Sequence, residues 1–99
     1  MGEQLTAAHF IPYLNGVFRV EGGRQALTLA RVDATPIGDR QAQSLLRQPF
    51  TLIFCGPPGD VLTEGLHTLA AEDGRPFTLY LIPIQTREAE RQDYQAVFN

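Results

Sequence analysis

The sequence predicts an all-β fold: a small antiparallel six-stranded barrel or sandwich with a short N-terminal helix. Three observations carry this. Apolar residues recur at every second position in runs such as FTLIFC (Phe50–Cys55) and RPFTLYLIPI (Arg75–Ile84), the spacing of side chains on a strand. Clusters of Gly, Asn and Asp separate the runs, the residue chemistry of tight turns. No run leads through an amphipathic helix into another strand, so the βαβ spacing of a parallel sheet is missing.

Taken in order, Thr6 is an N-cap for a helix of one or two turns through Ala7, Ala8, His9, Phe10 and Ile11, which Pro12 discourages from continuing. Phe10, Ile11, Tyr13 and Leu14 are then placed to plug one end of the β core, and Asn15-Gly16 turns the chain into a first strand, Val17–Val20. Glu21-Gly22-Gly23-Arg24 predicts a hairpin into a second strand, Gln25–Asp33, with Leu27, Leu29 and Arg31 on one face and Ala26, Thr28, Ala30 and Val32 on the other.

The segment Ala34–Gln48 is read either as a short helix over Gln41–Arg47 capped by Asp39 and anchored by Leu45 and Leu46, or as an ordered loop of the kind that carries binding. Phe50–Cys55 is a strand with Phe50, Leu52 and Phe54 on one face; after the GPPGD turn, Val61 and Leu62 return toward the core and Leu66–Ala71 forms the next strand. Asp73-Gly74 is a hairpin signal into Arg75–Ile84. There Phe77, Leu79 and Leu81 oppose Thr78, Tyr80, Ile82 and Ile84, so both faces are expected to be covered by other strands. Arg87–Asp93 (REAERQD) is read as a solvated loop or single helical turn, and Tyr94–Phe98 as the last strand, with Tyr94, Ala96 and Phe98 on one face.

Ninety-nine residues make one domain, burying roughly 65% of the surface of the unfolded chain. A net charge of -3 argues against a general nucleic-acid binder. All eight basic residues are Arg, which excludes Schiff-base and phosphate-loop lysine chemistry. A lone Cys55 rules out an internal disulfide. With no basic n-region, no apolar h-region and no run of ~20 apolar residues, the expectation is a soluble chain without a cleaved signal or membrane span, cytoplasmic by default.

Few residues carry chemistry. Cys55 and His67 are the one nucleophile-and-base pairing available, yet both fall within strands, where Cys is usually a small core residue and His a packing or rim residue. His9, His67 and Cys55 lack metal-ligand spacing, Glu72-Asp73 is explained by turn geometry, and GPPGD has neither Lys nor a following helix. No catalytic residue, metal or cofactor is assigned. Candidate binding residues are Arg31, His67, Tyr80 and Tyr13, which would converge if the barrel mouth held a small ligand.

The segments LTAAHF and LNGVFRV, PFTLIFCGPPGDVLTEGLHTL, RPFTLYLIPI and the closing YQAVFN together resemble a family of small bacterial all-β domains of uncharacterised function, over nearly the whole chain. The terminal strand followed directly by Asn99 is the most specific part, while His67 departs from an aromatic residue common in the family. Some members are associated with phage-tail-collar-like proteins, which implies an accessory or assembly role; the resemblance supplies no catalytic residues. The leading expectation is a noncatalytic protein-interaction module, binding a protein partner or itself through strand edges such as Val17–Val20 and Tyr94–Phe98. A small-ligand barrel is the alternative, and an enzyme with an unrecognised site the third reading.

Overall fold

A computed structural model describes residues 5–34, 49–59, 61–86 and 90–98. Helix α1 (Ala7–Phe10) and a 3-10 turn (Ile11–Tyr13) precede strands β1 (Val17–Val20), β2 (Ala26–Ala34), β3 (Phe50–Gly56), β4 (Gly65–Ala70), β5 (Pro76–Ile84) and β6 (Gln92–Phe98). The strands close into an antiparallel barrel in the order β1-β2-β3-β6-β5-β4, with β1 against β4 joining the ends. Of the two expected architectures, the fold is the barrel. The expected helix over 41–47 and all but the first residue of the expected 34–48 loop lie outside the described residues, as do Arg87, Glu88 and Asn99.

The closed wall turns the larger apolar residues of its strands to one inside. Phe18, Leu27, Leu29, Leu52, Phe54, Leu69, Leu79, Leu81 and Tyr94 are all buried inside, and a barrel this narrow is filled by its own side chains. The turns match their residues. Gly22 and Gly74 take φ of 79° and 89° in the β1–β2 and β4–β5 hairpins, a region that costs glycine nothing. Asn15 takes φ 68°, and its N–H donates to the Leu29 carbonyl at 2.8 Å, pinning the Asn-Gly corner to β2.

The N-terminal plug is real but narrower than expected. Pro12 does not end the helical path; it sits in the 3-10 turn that continues α1, where its missing N–H costs little. Phe10 is fully buried, whereas Ile11 and Leu14 are exposed, at 57% and 41%. A short helix has only one side toward the barrel, so Phe10 and the half-buried Tyr13 do the plugging. Phe10 lies 5.1 Å from Phe77, 5.9 Å from Phe98 and 6.0 Å from Phe50, centroid to centroid.

Five further expectations are corrected. On β5 only the Phe77, Leu79 and Leu81 face is buried; Thr78 and Tyr80 are exposed and Ile82 and Ile84 half-buried, because a closed wall has a single inside. Leu29 stands opposite Phe54 but Arg31 opposite Ile53, so a β-bulge at Ala30 inverts the alternation. Arg31 is thereby moved to the outer face and Val32 packs on the core. Val17–Val20 and Tyr94–Phe98 are not edge strands, since β1 pairs with β2 and β4, and β6 with β3 and β5. Finally, Val61 is exposed while Leu62 is buried, and Asp93, expected in a solvated loop, is a buried residue of β6.

Candidate functional site

The four residues expected at a barrel mouth sit in different places. Tyr13, at the plugged end, donates its hydroxyl to Asp73 Oδ2 at 2.8 Å. Arg31 is on the outer face of β2, ion-paired with Asp33 at 2.7 Å. His67 lies on the Leu69 side of β4, with Nε2 2.7 Å from the Thr63 carbonyl; a carbonyl only accepts, so Nε2 carries the proton. Tyr80 is on the outer face of β5 and donates to Glu64 Oε2 at 2.8 Å. His67 and Tyr80 therefore occupy opposite faces of one hairpin, and the barrel interior between all four is filled by core side chains.

Nor do Cys55 and His67 meet. β3 and β4 are separated by β6 and β5 in the barrel order, and the two side chains project from opposite faces of the wall. Burial first, then the neighbouring Asp93 carboxylate, push the Cys55 thiol above its ordinary range, the reverse of what activates a nucleophile. Asp93 is held by Arg91, whose Nε approaches Oδ1 at 3.0 Å without the alignment of a hydrogen bond, leaving that buried oxygen otherwise unpartnered. Sequence reading missed this group because Asp93 ends a polar run that looks solvated throughout.

Two outer surfaces stand out instead. The first is the β4–β5 hairpin, where Leu66 pairs directly with Tyr80 and both are exposed, at 70% and 49%. Two pairs along the ladder, on the same face, the Thr68 and Thr78 hydroxyls are hydrogen-bonded at 2.8 Å. Tyr80 thus presents its ring on the outer wall with its hydroxyl paired to Glu64. The alternation of β4 puts Leu66 outside, so this surface was legible once strand faces were assigned.

The second is the seam that closes the barrel. β1 and β4 share the pairs Arg19–Ala70 and Val20–Leu69, extended by the Glu21 N–H, which donates to the Thr68 carbonyl at 2.9 Å. Beyond Ala70 β4 ends and the chain enters the hairpin turn, so the Val17 N–H donates to Glu72 Oε1 at 3.1 Å instead of to a strand. The acidic pair read as turn geometry thus ties the turn to the N-terminal segment at two points, Glu72 to Val17 and Asp73 to Tyr13. Backbone donation from Arg75, then the Tyr13 hydroxyl, hold the Asp73 carboxyl below its ordinary range. Where the strands part lies a shallow groove of about 430 Å³ lined by Val17, Arg19, Ala70, Ala71 and Glu72.

Among the described residues, no three potential metal ligands cluster and no helix is long and apolar enough to cross a membrane. A search of curated proteins and a search of solved structures each return no significant match. The family model of a domain of unknown function, DUF6916, matches residues 5–98. That match covers nearly the whole chain, α1 and all six strands included, so the chain belongs to the DUF6916 family.

Proposed function

We propose that this chain is a noncatalytic protein-interaction module that presents the outer face of its β4–β5 hairpin to a protein partner or to a second copy of itself. The observation that supports the reading is the exposed Leu66–Tyr80 pair on the outer wall of the barrel. Aromatic residues, Tyr among them, are enriched at the few positions that carry most of the binding energy of an interface, and the hydroxyl of Tyr80 already has a partner in Glu64. The reading no longer rests on strand edges, which barrel closure removes. The four residues that a small-ligand barrel would have used at its mouth, Arg31, His67, Tyr80 and Tyr13, lie apart.

Light scattering across a concentration series separates self-association from a strict monomer. Affinity capture from the native host then compares the wild-type chain with a Leu66→Asp, Tyr80→Ala variant. The expected result is one stoichiometric species, a partner or a dimer, that is lost in the variant while its melting temperature stays near wild type. A wild-type chain that remains monomeric and captures nothing overturns the proposal. The resemblance points to a component of a phage-tail-like assembly as the partner, and mass spectrometry of the captured species tests that finer reading.

A further inference from the structure

We infer that the β1–β4 seam is a second binding site, which takes the free carboxy terminus of an extended polypeptide ending in a small apolar residue. This inference deepens the interaction-module reading and rests on it. Three features of the groove correspond to the three groups of such a terminus. Arg19 is exposed on the outer face of β1 and makes no ion pair or hydrogen bond with any described residue, which leaves its guanidinium fork open to a carboxylate. Glu72 is held by the Val17 N–H through Oε1 alone, leaving Oε2 to accept a main-chain N–H. Val17, 39% exposed, and the small Ala70 form an apolar floor between them.

The charges of Arg19 and Glu72 line one groove yet do not neutralise each other, since no ion pair within 4 Å joins them. Glu72 turns Oε1 to the Val17 N–H and not to Arg19. An elongated occupant is favoured over a compact one because the groove follows the Val17 end of β1, which runs past the last residue of β4. Main-chain groups and an end carboxylate recognised together are a recurring mode of peptide binding.

The test is a ¹⁵N-¹H chemical-shift titration of the full chain with three probes: N-acetyl-Gly-Gly-Ser-Val as the free acid, the same peptide as its carboxy-terminal amide, and free valine. The free acid is expected to bind in the millimolar range or better and to shift the amides of Val17, Arg19, Ala70 and Glu72. Amidation or Arg19→Gln is expected to weaken it by about tenfold, the loss of a hydrogen bond to a charged group. Ala70→Glu, on the outer face, is expected to abolish binding while the spectrum stays that of a folded barrel. Equal binding of acid and amide, shifts that map elsewhere, or no binding of the acid each overturns the inference, and free valine binding as tightly as the peptide makes the site one for a zwitterion instead. If the peptide fails but the partner is still lost on Leu66 and Tyr80 substitution, this inference falls and the module reading stands.

Discussion

Phe10→Ala is the sharpest test of how the barrel is held shut. The β5–β6 ladder runs only from Ile84–Asp93 to Ile82–Gln95, and Phe77 on β5 and Phe98 on β6 lie beyond its end. Phe10 reaches both rings, at 5.1 and 5.9 Å, and Phe50 at 6.0 Å. Its ring is fully buried, so truncation removes the whole transfer free energy and leaves a cavity that three aromatic walls cannot easily close. Phe→Ala at such a site costs about 3–5 kcal/mol, against a total of about 5–15 kcal/mol for a domain of this size. The melting temperature should fall by more than about 12 °C. Urea denaturation followed by far-UV circular dichroism measures the loss directly, the chain having no Trp to report by fluorescence. Ile11→Ala is the internal control: one residue on and 57% exposed, it should stay within about 0.5 kcal/mol of wild type. A Phe10→Ala loss of less than about 1 kcal/mol, or one matched by Ile11→Ala, would refute the view of α1 as a wedge.

Three other outcomes are expected. Leu79→Asp puts a charge where the wild-type side chain is 1% exposed and should unfold the domain; a soluble variant with a cooperative melt shows that the core has been misplaced. At Gly56 an added Cβ would meet Leu27 Cδ2 at 2.5 Å, and Leu27 is itself fully buried. Gly56→Ala should therefore cost about 1–3 kcal/mol by overpacking, and a neutral result in the same urea assay would mean that Leu27 can move aside. Cys55, its thiol pushed up mainly by burial, should react with iodoacetamide at pH 8 more slowly in the folded chain than after denaturation. Because the folded value is the raised one, its contribution to stability is complete below the unfolded thiol range near ~8.5 and fades only as the pH rises above it. Alkylation of the native chain as fast as of the denatured chain contradicts that placement.

Most of the fold was legible because it is written in local signals. Phe50, Leu52 and Phe54, and likewise Phe77, Leu79 and Leu81, fall on the buried face that alternation assigned them, and the Asp73-Gly74 and Gly22 turns form where the residues tolerate positive φ. The candidate site was not legible in the same way. Arg31, His67, Tyr80 and Tyr13 are plausible binding types, but their convergence depended on distances between strands, which no local pattern encodes. The exposed Leu66 could be placed outside by counting from Leu69; the idle Arg19 could not be told from any other surface arginine.

By itself the sequence determined the all-β class, the six strands to within a few residues, their turns and most of their inward faces, since each depends on a residue and its near neighbours in the chain. Only the tertiary structure decided the rest. Pairing of β1 with β4 turned a sheet into a barrel and removed the edges. One extra residue at Ala30, visible only against β3, exchanged the faces of Arg31 and Val32. An acidic turn became a latch because its carboxylates found Tyr13 and Val17 more than fifty residues away. Each of these is a contact between distant parts of the chain, fixed by which strand lies beside which and in what register, and so by the whole packing and not by any stretch of it.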